Sequence, residues 1–344
     1  MAKPNQGLAG WIVEEATMQF RKLGQSDIAV SRIGLGCMSF AGSYGPMDPS
    51  HAANVIDAAL DTGINFFDTA DVYGAGLSET LVGKALRPVR QRVVIATKGG
   101  ATRGATGLPE NDGSPRHLKA ACDASLKRLG IDTIDLYYLH RVDPNVPIED
   151  SVGALAEMVR AGKVRHIGLS EASPDTIKRA HAVHPVSALQ TEYSLSCRFV
   201  EAEILPLCEA LGITFVAYGP LGRGLLSGTL SADTVLPAGD ARAVIPRFSG
   251  ENLAHNVRAT QHLRSVADAH GLSVAQLALA WVVGRSFPIV AIPGTRDAGR
   301  VTANAKAAEV MLPDAVWQEL DELFSEDAMQ GARHATHMLA RNNL

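Results

Sequence analysis

The sequence has few cysteines, no block of one charge and no long apolar run, and each absence removes a class of protein. Its four cysteines, Cys37, Cys122, Cys197 and Cys208, lie far apart with no C-x-x-C pair. Such spacing signals no zinc knuckle, redox pair or disulfide framework, and reads as the reduced thiols of a cytoplasmic protein. The 32 Lys and Arg are scattered among 36 Asp and Glu, for a net charge of −4. Nucleic acid and anionic membrane surfaces need a basic patch, so neither is expected as a partner. No window approaches twenty uncharged apolar residues, which leaves nothing of helical length to span a bilayer. Residues 1–17 hold only a short apolar patch before Glu14 and Glu15, unlike a secretory leader, and read as an extension ahead of a single domain over 18–344.

What is present is a repeat. At 344 residues the chain allows two ordinary domains or one large α/β barrel. Short runs rich in Val, Ile, Leu, Phe and Tyr alternate with stretches of helical periodicity. Eight such runs occur, at 30–36, 64–68, 92–98, 133–140, 164–170, 186–192, 213–218 and 287–294. Gly63, Gly130, Gly162 and Gly212 each fall between a helical stretch and the next run, where glycine ends a helix in the left-handed conformation. Ser114-Pro115 and Ser173-Pro174 read as the opposite ends, a capping hydroxyl followed by proline in the first turn. Eight strand-helix units imply parallel strands, and eight is the number that closes a (β/α)8 TIM barrel. Residues 18–30 are too short for a unit and read as a β-hairpin closing the barrel floor. Extra helices are expected at 255–271 and 313–325, and 228–252 reads as a long loop.

In such a barrel, chemistry sits at the carboxyl ends of the strands. Seven of the eight runs end in or near a polar or special residue: Asp68 and Tyr73, Lys98, His140, Ser170, Gln190, Tyr218 and Gly294. Taken singly, Asp68 is more often a helix cap, Lys98 a snorkelling surface lysine and His140 a satisfied core histidine. Four converging ionisable groups are costly in one barrel mouth unless they pair. A metal site is disfavoured, because no second histidine stands at ligand spacing and lysine and tyrosine suit no metal cage. A Schiff-base lysine is disfavoured as well, because Asp68 would hold Lys98 charged. The remaining reading uses all four groups. A lysine ammonium beside a phenol stabilises phenolate, drawing a pKa near 10 toward neutrality and making Tyr73 a general acid. Asp68 would orient Lys98, and His140 would hold a substrate carbonyl oxygen.

These residues resemble the aldo-keto reductase superfamily from Met18 to about Phe324. The match runs through "DTADVYG", "ATK", "YYLH", "GLS", "AYGPLGRGLLSG" and "IPGTR" in order. The opening "FRKLGQSDIAVSRIGLGCMSF" is similar to the branch of auxin-induced-like, perakine-reductase-like and pyridoxal-reductase-like enzymes. The resemblance implies a catalytic tetrad of Asp68, Tyr73, Lys98 and His140, with NADPH/NADP+ as cofactor and a small carbonyl or alcohol as substrate. It implies that Ser170 and Gln190 hold the carboxamide and that Tyr218 stacks on the nicotinamide. The pyrophosphate is expected along Gly219, Pro220, Leu221, Gly222 and Gly224. Thr295, Arg296 and Arg300 are expected at the 2′-phosphate, with Gly36, Gly294 and Asn304 also lining the cofactor. "GLGCMS" lacks the third glycine and following helix of a dinucleotide fingerprint, so it is not read as one. Glu171 departs from the asparagine usual beside Ser170, and Ala303 lacks a polar side chain often found there. Tyr44, Arg103, Arg141, Arg247 and Phe248 are candidates for the substrate wall. The rival reading, a cofactor-binding regulatory subunit without turnover, is disfavoured by the complete tetrad. Nothing in the sequence marks an oligomeric interface.

Overall fold

A computed structural model of the chain describes residues 18–42, 48–104, 109–237, 239–335 and 342–343. The expected extension at 1–17 lies outside them. The first described elements are β1 (Phe20–Lys22) and β2 (Ala29–Ser31), which pair antiparallel as the anticipated hairpin. Eight parallel strands follow: β3 (Leu35–Gly36), β4 (Phe66–Asp68), β5 (Val94–Gly99), β8 (Ile134–Leu139), β9 (Val164–Ser170), β10 (Val186–Glu192), β11 (Thr214–Tyr218) and β12 (Ile289–Ile292). Each pairs with its neighbour in this order, and the sheet curls until its edges meet. Ile33 bridges Ala291 and Gly36 bridges Gly294, with the Gly34 amide donating to the Ala291 carbonyl at 2.8 Å. The strands therefore form the expected (β/α)8 TIM barrel.

Ten α-helices among the described residues cover it. They are α1 (Pro49–Asp61), α2 (Leu77–Leu86), α3 (Pro115–Leu129), α4 (Ile148–Arg160), α5 (Pro174–Val183), α6 (Ile204–Leu211), α7 (Gly250–Ala269), α8 (Val274–Gly284), α9 (Ala298–Ala305) and α10 (Asp314–Leu323). Ser114 and Ser173 cap α3 and α5 ahead of proline, and Gly130 and Gly212 end α3 and α6 with positive φ. The local punctuation therefore acts as read. The extra helices expected at 255–271 and 313–325 are α7 and α10. No single helix among the described residues is long and apolar enough to cross a membrane.

Two expectations change. The run at 30–36 is not one strand, because Val30 and Ser31 belong to the hairpin and only Leu35–Gly36 joins the barrel. The chain bends between them, where Asn65 Oδ1 accepts from the Ser31 amide at 2.7 Å and the Ser31 hydroxyl donates to the Ile33 carbonyl at 2.7 Å. A second hairpin, β6 (Ala101–Arg103) with β7 (Pro109–Asn111), stands beyond β5 and was not anticipated. Of the expected loop at 228–252, the described residues up to Ser249 form turns and short 3-10 segments, including Ala241–Val244 and Pro246–Phe248, whereas Gly250 already opens α7.

Side chains alternate faces along a strand, so every second residue points into the barrel. The interior cluster has this parity: Phe66, Val94, Ala96, Leu136, Tyr138, Ala188, Val216, Val290 and Ile292. Leu23, Ile28 and Val30 of the hairpin join it, sealing the floor with apolar surface. Gly168 makes room for the buried Tyr138 ring, since a Cβ there would stand 2.4 Å from it. Continuing the same parity to the strand ends carries Asp68, Lys98, His140, Ser170, Gln190 and Tyr218 onto the inner face at the mouth.

The seam depends on Gly36, where a Cβ would lie 2.8 Å from the Ile292 carbonyl oxygen. Backbone cannot yield there as a flexible side chain would. Gly36→Ala is expected to lower unfolding stability by about 1–3 kcal/mol, the usual cost of overpacking, as measured by urea denaturation.

Candidate active site

Asp68 closes β4 and Lys98 lies one residue before the end of β5, the next strand. Lys98 is fully buried and its Nζ is 2.5 Å from Asp68 Oδ1. The ammonium also donates to the Thr69 carbonyl at 2.8 Å. Gln190, from β10, donates its amide to the other Asp68 oxygen at 2.7 Å. Both carboxylate oxygens are therefore engaged.

Tyr73 sits in the loop after β4. That loop is zipped to β5 by backbone bonds from Thr69 to Ala96 and from Asp71 to Lys98. Its far end is tied to the barrel seam, since the Ser78 hydroxyl donates to the Cys37 carbonyl and accepts from Thr69. The Lys98 Nζ stands 5.2 Å from the Tyr73 ring centre. His140, directly after β8, meets the Tyr73 ring edge-on at 5.9 Å between centroids. All four sequence candidates thus converge at the mouth.

The electrostatics differ from the expectation in one respect. Burial pushes the Tyr73 phenol above its ordinary pKa, and the opposing pull of Lys98 does not overcome it. The phenol is accordingly held protonated rather than drawn toward neutrality. For Lys98, burial opposes the charge, but Asp68 and Tyr73 outweigh it and raise its pKa. A charged ammonium cannot attack a carbonyl, so the geometry disfavours Schiff-base chemistry at Lys98. Among the described residues no group of three or more His, Cys, Asp or Glu is placed to hold a metal. All four cysteines are buried, free thiols.

The chain from residue 32 to 324 matches the model of the aldo/keto reductase family. The chain belongs to that family. It is 45% identical over 323 residues to "Probable aldo-keto reductase 1" of Glycine max, covering 93% of each chain. Its fold is similar to the glycerol dehydrogenase AKR11B4 from Gluconobacter oxydans, with a TM-score of 0.83, 31% identity, and coverage of 91% of this chain and 98% of that one. It is also similar to the thermostable aldo-keto reductase Tm1743, with a TM-score of 0.71, 28% identity, and coverage of 89% and 100%. The protein is thereby an NAD(P)H-dependent oxidoreductase acting on carbonyl and alcohol groups.

In the reductase, the expected cofactor residues are distributed around β9 to β12. Ser170 is buried and accepts from Arg141 at 3.1 Å, so Arg141 does reach the mouth. Tyr218 is half-buried at the end of β11. The loop beyond it takes positive φ at Gly219, Gly222, Arg223 and Gly224, a sequence of left-handed residues that bares backbone where side chains would block approach. Pro220 is buried, whereas Leu221 is half-buried against the outer core. After β12, Thr295 and Asn304 are buried, and Arg296 and Arg300 are exposed beside the start of α9. Gly36 and Gly294 are explained by the barrel seam itself.

The substrate-wall expectations fare unevenly. Phe248 is 5% exposed and packs with Leu225, Ile245, Leu253 and Val257 in a satellite core, so it is not a wall residue. Arg247 donates to the Ser196 and Gly331 carbonyls, tying the long loop to the C-terminal segment. Tyr44 and the Arg103 side chain lie outside the described residues. The pairings of two buried carboxylates had no signal in sequence. Glu171, at φ +53°, is fully buried and paired with Arg333 at 2.6 Å. Glu79 is equally buried beneath the Tyr73 loop, accepting from Thr97 at 2.6 Å and Arg128 at 2.5 Å.

Asp71 lies in the same loop as Tyr73. Burial, reinforced by Glu79, raises its carboxyl from 3.8 to about 7, and its Oδ1 is buried with no hydrogen-bond partner among the described residues. A raised folded pKa favours folding while the proton is bound, fully below about 3.8, and that stability is lost as pH rises through 7. Asp71→Asn is expected to raise unfolding stability at pH 8 by on the order of 2 kcal/mol and to leave it nearly unchanged at pH 4. Thermal unfolding of both proteins across that range reads the difference.

Proposed function

We propose that the protein reduces aldehydes and ketones to alcohols with NADPH, and oxidises alcohols in reverse, with Tyr73 as the general acid. The observation that carries this reading is the Lys98 ammonium, fully buried and 5.2 Å from the centre of the Tyr73 ring. When bound, NADPH supplies the hydride. Everything else is work for the chain's own residues.

Tyr73 holds the proton that a substrate oxygen receives as the carbonyl is reduced. Giving it up leaves a phenolate, which the adjacent ammonium stabilises only as the charge develops. Asp68 keeps that ammonium charged and, with the Thr69 carbonyl, aimed. His140 faces Tyr73 from the next strand along and would orient the carbonyl oxygen toward it. Proton donation by a positioned side chain contributes about 10²- to 10⁴-fold in rate.

The described residues fit a nicotinamide dinucleotide. Tyr218 offers a half-buried ring for stacking, Ser170 a hydroxyl for the carboxamide, and the left-handed loop at 219–224 a bare backbone for the pyrophosphate. Exposed Arg296 and Arg300 on either side of Asp297 suit a phosphate, which supports NADPH over NADH. Glu171 is spent on Arg333 and Tyr218, so Ser170 and Gln190 are left as the carboxamide partners. A cytoplasmic setting agrees with four reduced thiols.

Tyr73→Phe is expected to cut kcat by at least 10²-fold while leaving NADPH affinity within threefold of wild type, as read by absorbance assays and fluorescence titration. Wild-type turnover by that variant would end the proposal. Because the phenol is pushed up, carbonyl reduction should hold across neutral pH and fall only on the alkaline side, whereas alcohol oxidation, which needs phenolate, should rise with pH. Replacing Arg296 and Arg300 together by Ala should reduce the preference for NADPH over NADH by roughly tenfold or more, since a charge-assisted contact is worth about 1.5–3 kcal/mol. Equal losses for both cofactors would remove the assignment.

A further inference from the structure

Glu171 immediately follows Ser170 at the mouth of β9, yet its carboxylate is fully buried. An ionised carboxylate survives there only with compensating donors. It has four. Tyr218 donates its hydroxyl to Oε1 at 2.8 Å, and the Glu192 amide donates to the same oxygen at 3.1 Å. Arg333 brings Nη1 to Oε1 at 3.3 Å and Nη2 to Oε2 at 2.6 Å. Burial alone would push this carboxyl up, but Arg333, Arg141 and Tyr218 hold it down at about 2.

Arg333 comes from the segment beyond α10, 162 residues away in sequence. Its guanidinium also donates to Glu192 Oε2 at 3.2 Å and lies 4.7 Å over the Phe199 ring. Arg223 reaches the same Glu192 oxygen at 3.3 Å, while His334, lowered by burial to about 4 and therefore neutral, lies 3.5 Å from it. Asn343 reinforces the docking, donating its amide to the Glu171 carbonyl at 3.2 Å and accepting from Ser173 and Thr176 at the start of α5. One guanidinium of the C-terminal segment thus balances the charge beside Ser170 and anchors the acceptor that fixes the Tyr218 hydroxyl.

We infer that Arg333 is a positioning residue for the nicotinamide end of the cofactor, setting how tightly the site holds the oxidised ring relative to the reduced one. This rests on the nicotinamide reading above. The oxidised ring carries a positive charge that the reduced ring lacks. A carboxylate freed of its guanidinium favours the oxidised form; a guanidinium freed of its carboxylate disfavours it. With both present the two charges cancel, and Tyr218 keeps a fixed orientation.

The test is fluorescence titration of the full chain with NADPH and with NADP+. Arg333→Met should raise the ratio of Kd for NADPH to Kd for NADP+ roughly tenfold, the scale of one charge interaction in a partly buried site. Arg333→Lys, which keeps the charge, should stay near the wild-type ratio. Glu171→Gln should move the ratio the other way, and the double variant Arg333→Met with Glu171→Gln should return it toward wild type. A merely structural role weakens both cofactors by one factor and leaves the ratio unmoved, which would overturn the inference. Should Arg333→Met fail to fold, a Glu171→Gln ratio equal to that of wild type overturns it equally. Failure of the wild type to bind either cofactor would instead overturn the nicotinamide reading itself.

Discussion

A lysine with no exposed surface, 2.5 Å from an almost equally buried aspartate, is the contact around which the mouth of this barrel is built. Desolvating both charges costs several kcal/mol per ion, and their attraction offsets this only with good geometry and further hydrogen bonds. The fold supplies both. Parallel pairing of β4 and β5 sets Asp68 against Ala96, two residues before Lys98, so both side chains leave the same inner face. Thr69 and Gln190 then complete the pair from two further positions. Replacing a buried ion pair by apolar residues of similar volume is often neutral or stabilising, so the pair is weak evidence for stability and is read for its effect on Tyr73.

That effect is set by competition between burial and charge. Burial favours the neutral phenol and outweighs the pull of Lys98. In the proposed mechanism Lys98 contributes most when the phenolate forms, because its charge lies in place without reorganisation. Proton storage and proton release are thereby assigned to different physical causes.

A second charged network stands over β9, β10 and β11. It joins Glu171 and Glu192 to Arg333 and Arg223, with Tyr218 as its neutral member. In the proposed function the two networks divide the mouth between proton transfer and ring placement. Gln190 belongs to the first through Asp68 although its strand neighbour Glu192 belongs to the second, so β10 contributes to both. A third buried pair, Glu79 with Arg128, supports the Tyr73 loop from beneath and leaves Asp71 as the one carboxyl there that burial keeps close to neutral pH.

Much of the barrel was legible because its signals are local. Apolar runs, serine-proline caps and terminal glycines report on neighbouring residues, and strand parity converts a run's last residue into a direction. Asp68, Lys98 and His140 could be placed from that parity, with Tyr73 five residues beyond the first of them. The split of residues 30–36 was not legible, because the bend is held by Asn65, which is remote in sequence. Nor was the burial of Phe248, whose partners Leu225 and Leu253 meet only when the long loop folds back. The sequence by itself therefore determined the strand-helix repeat, the parity and the identity of the groups at the mouth. Only the tertiary structure decided the state of those groups, including a phenol kept protonated and a glutamate bound to Arg333. Desolvation and ion pairing are sums over residues that a linear chain leaves far apart.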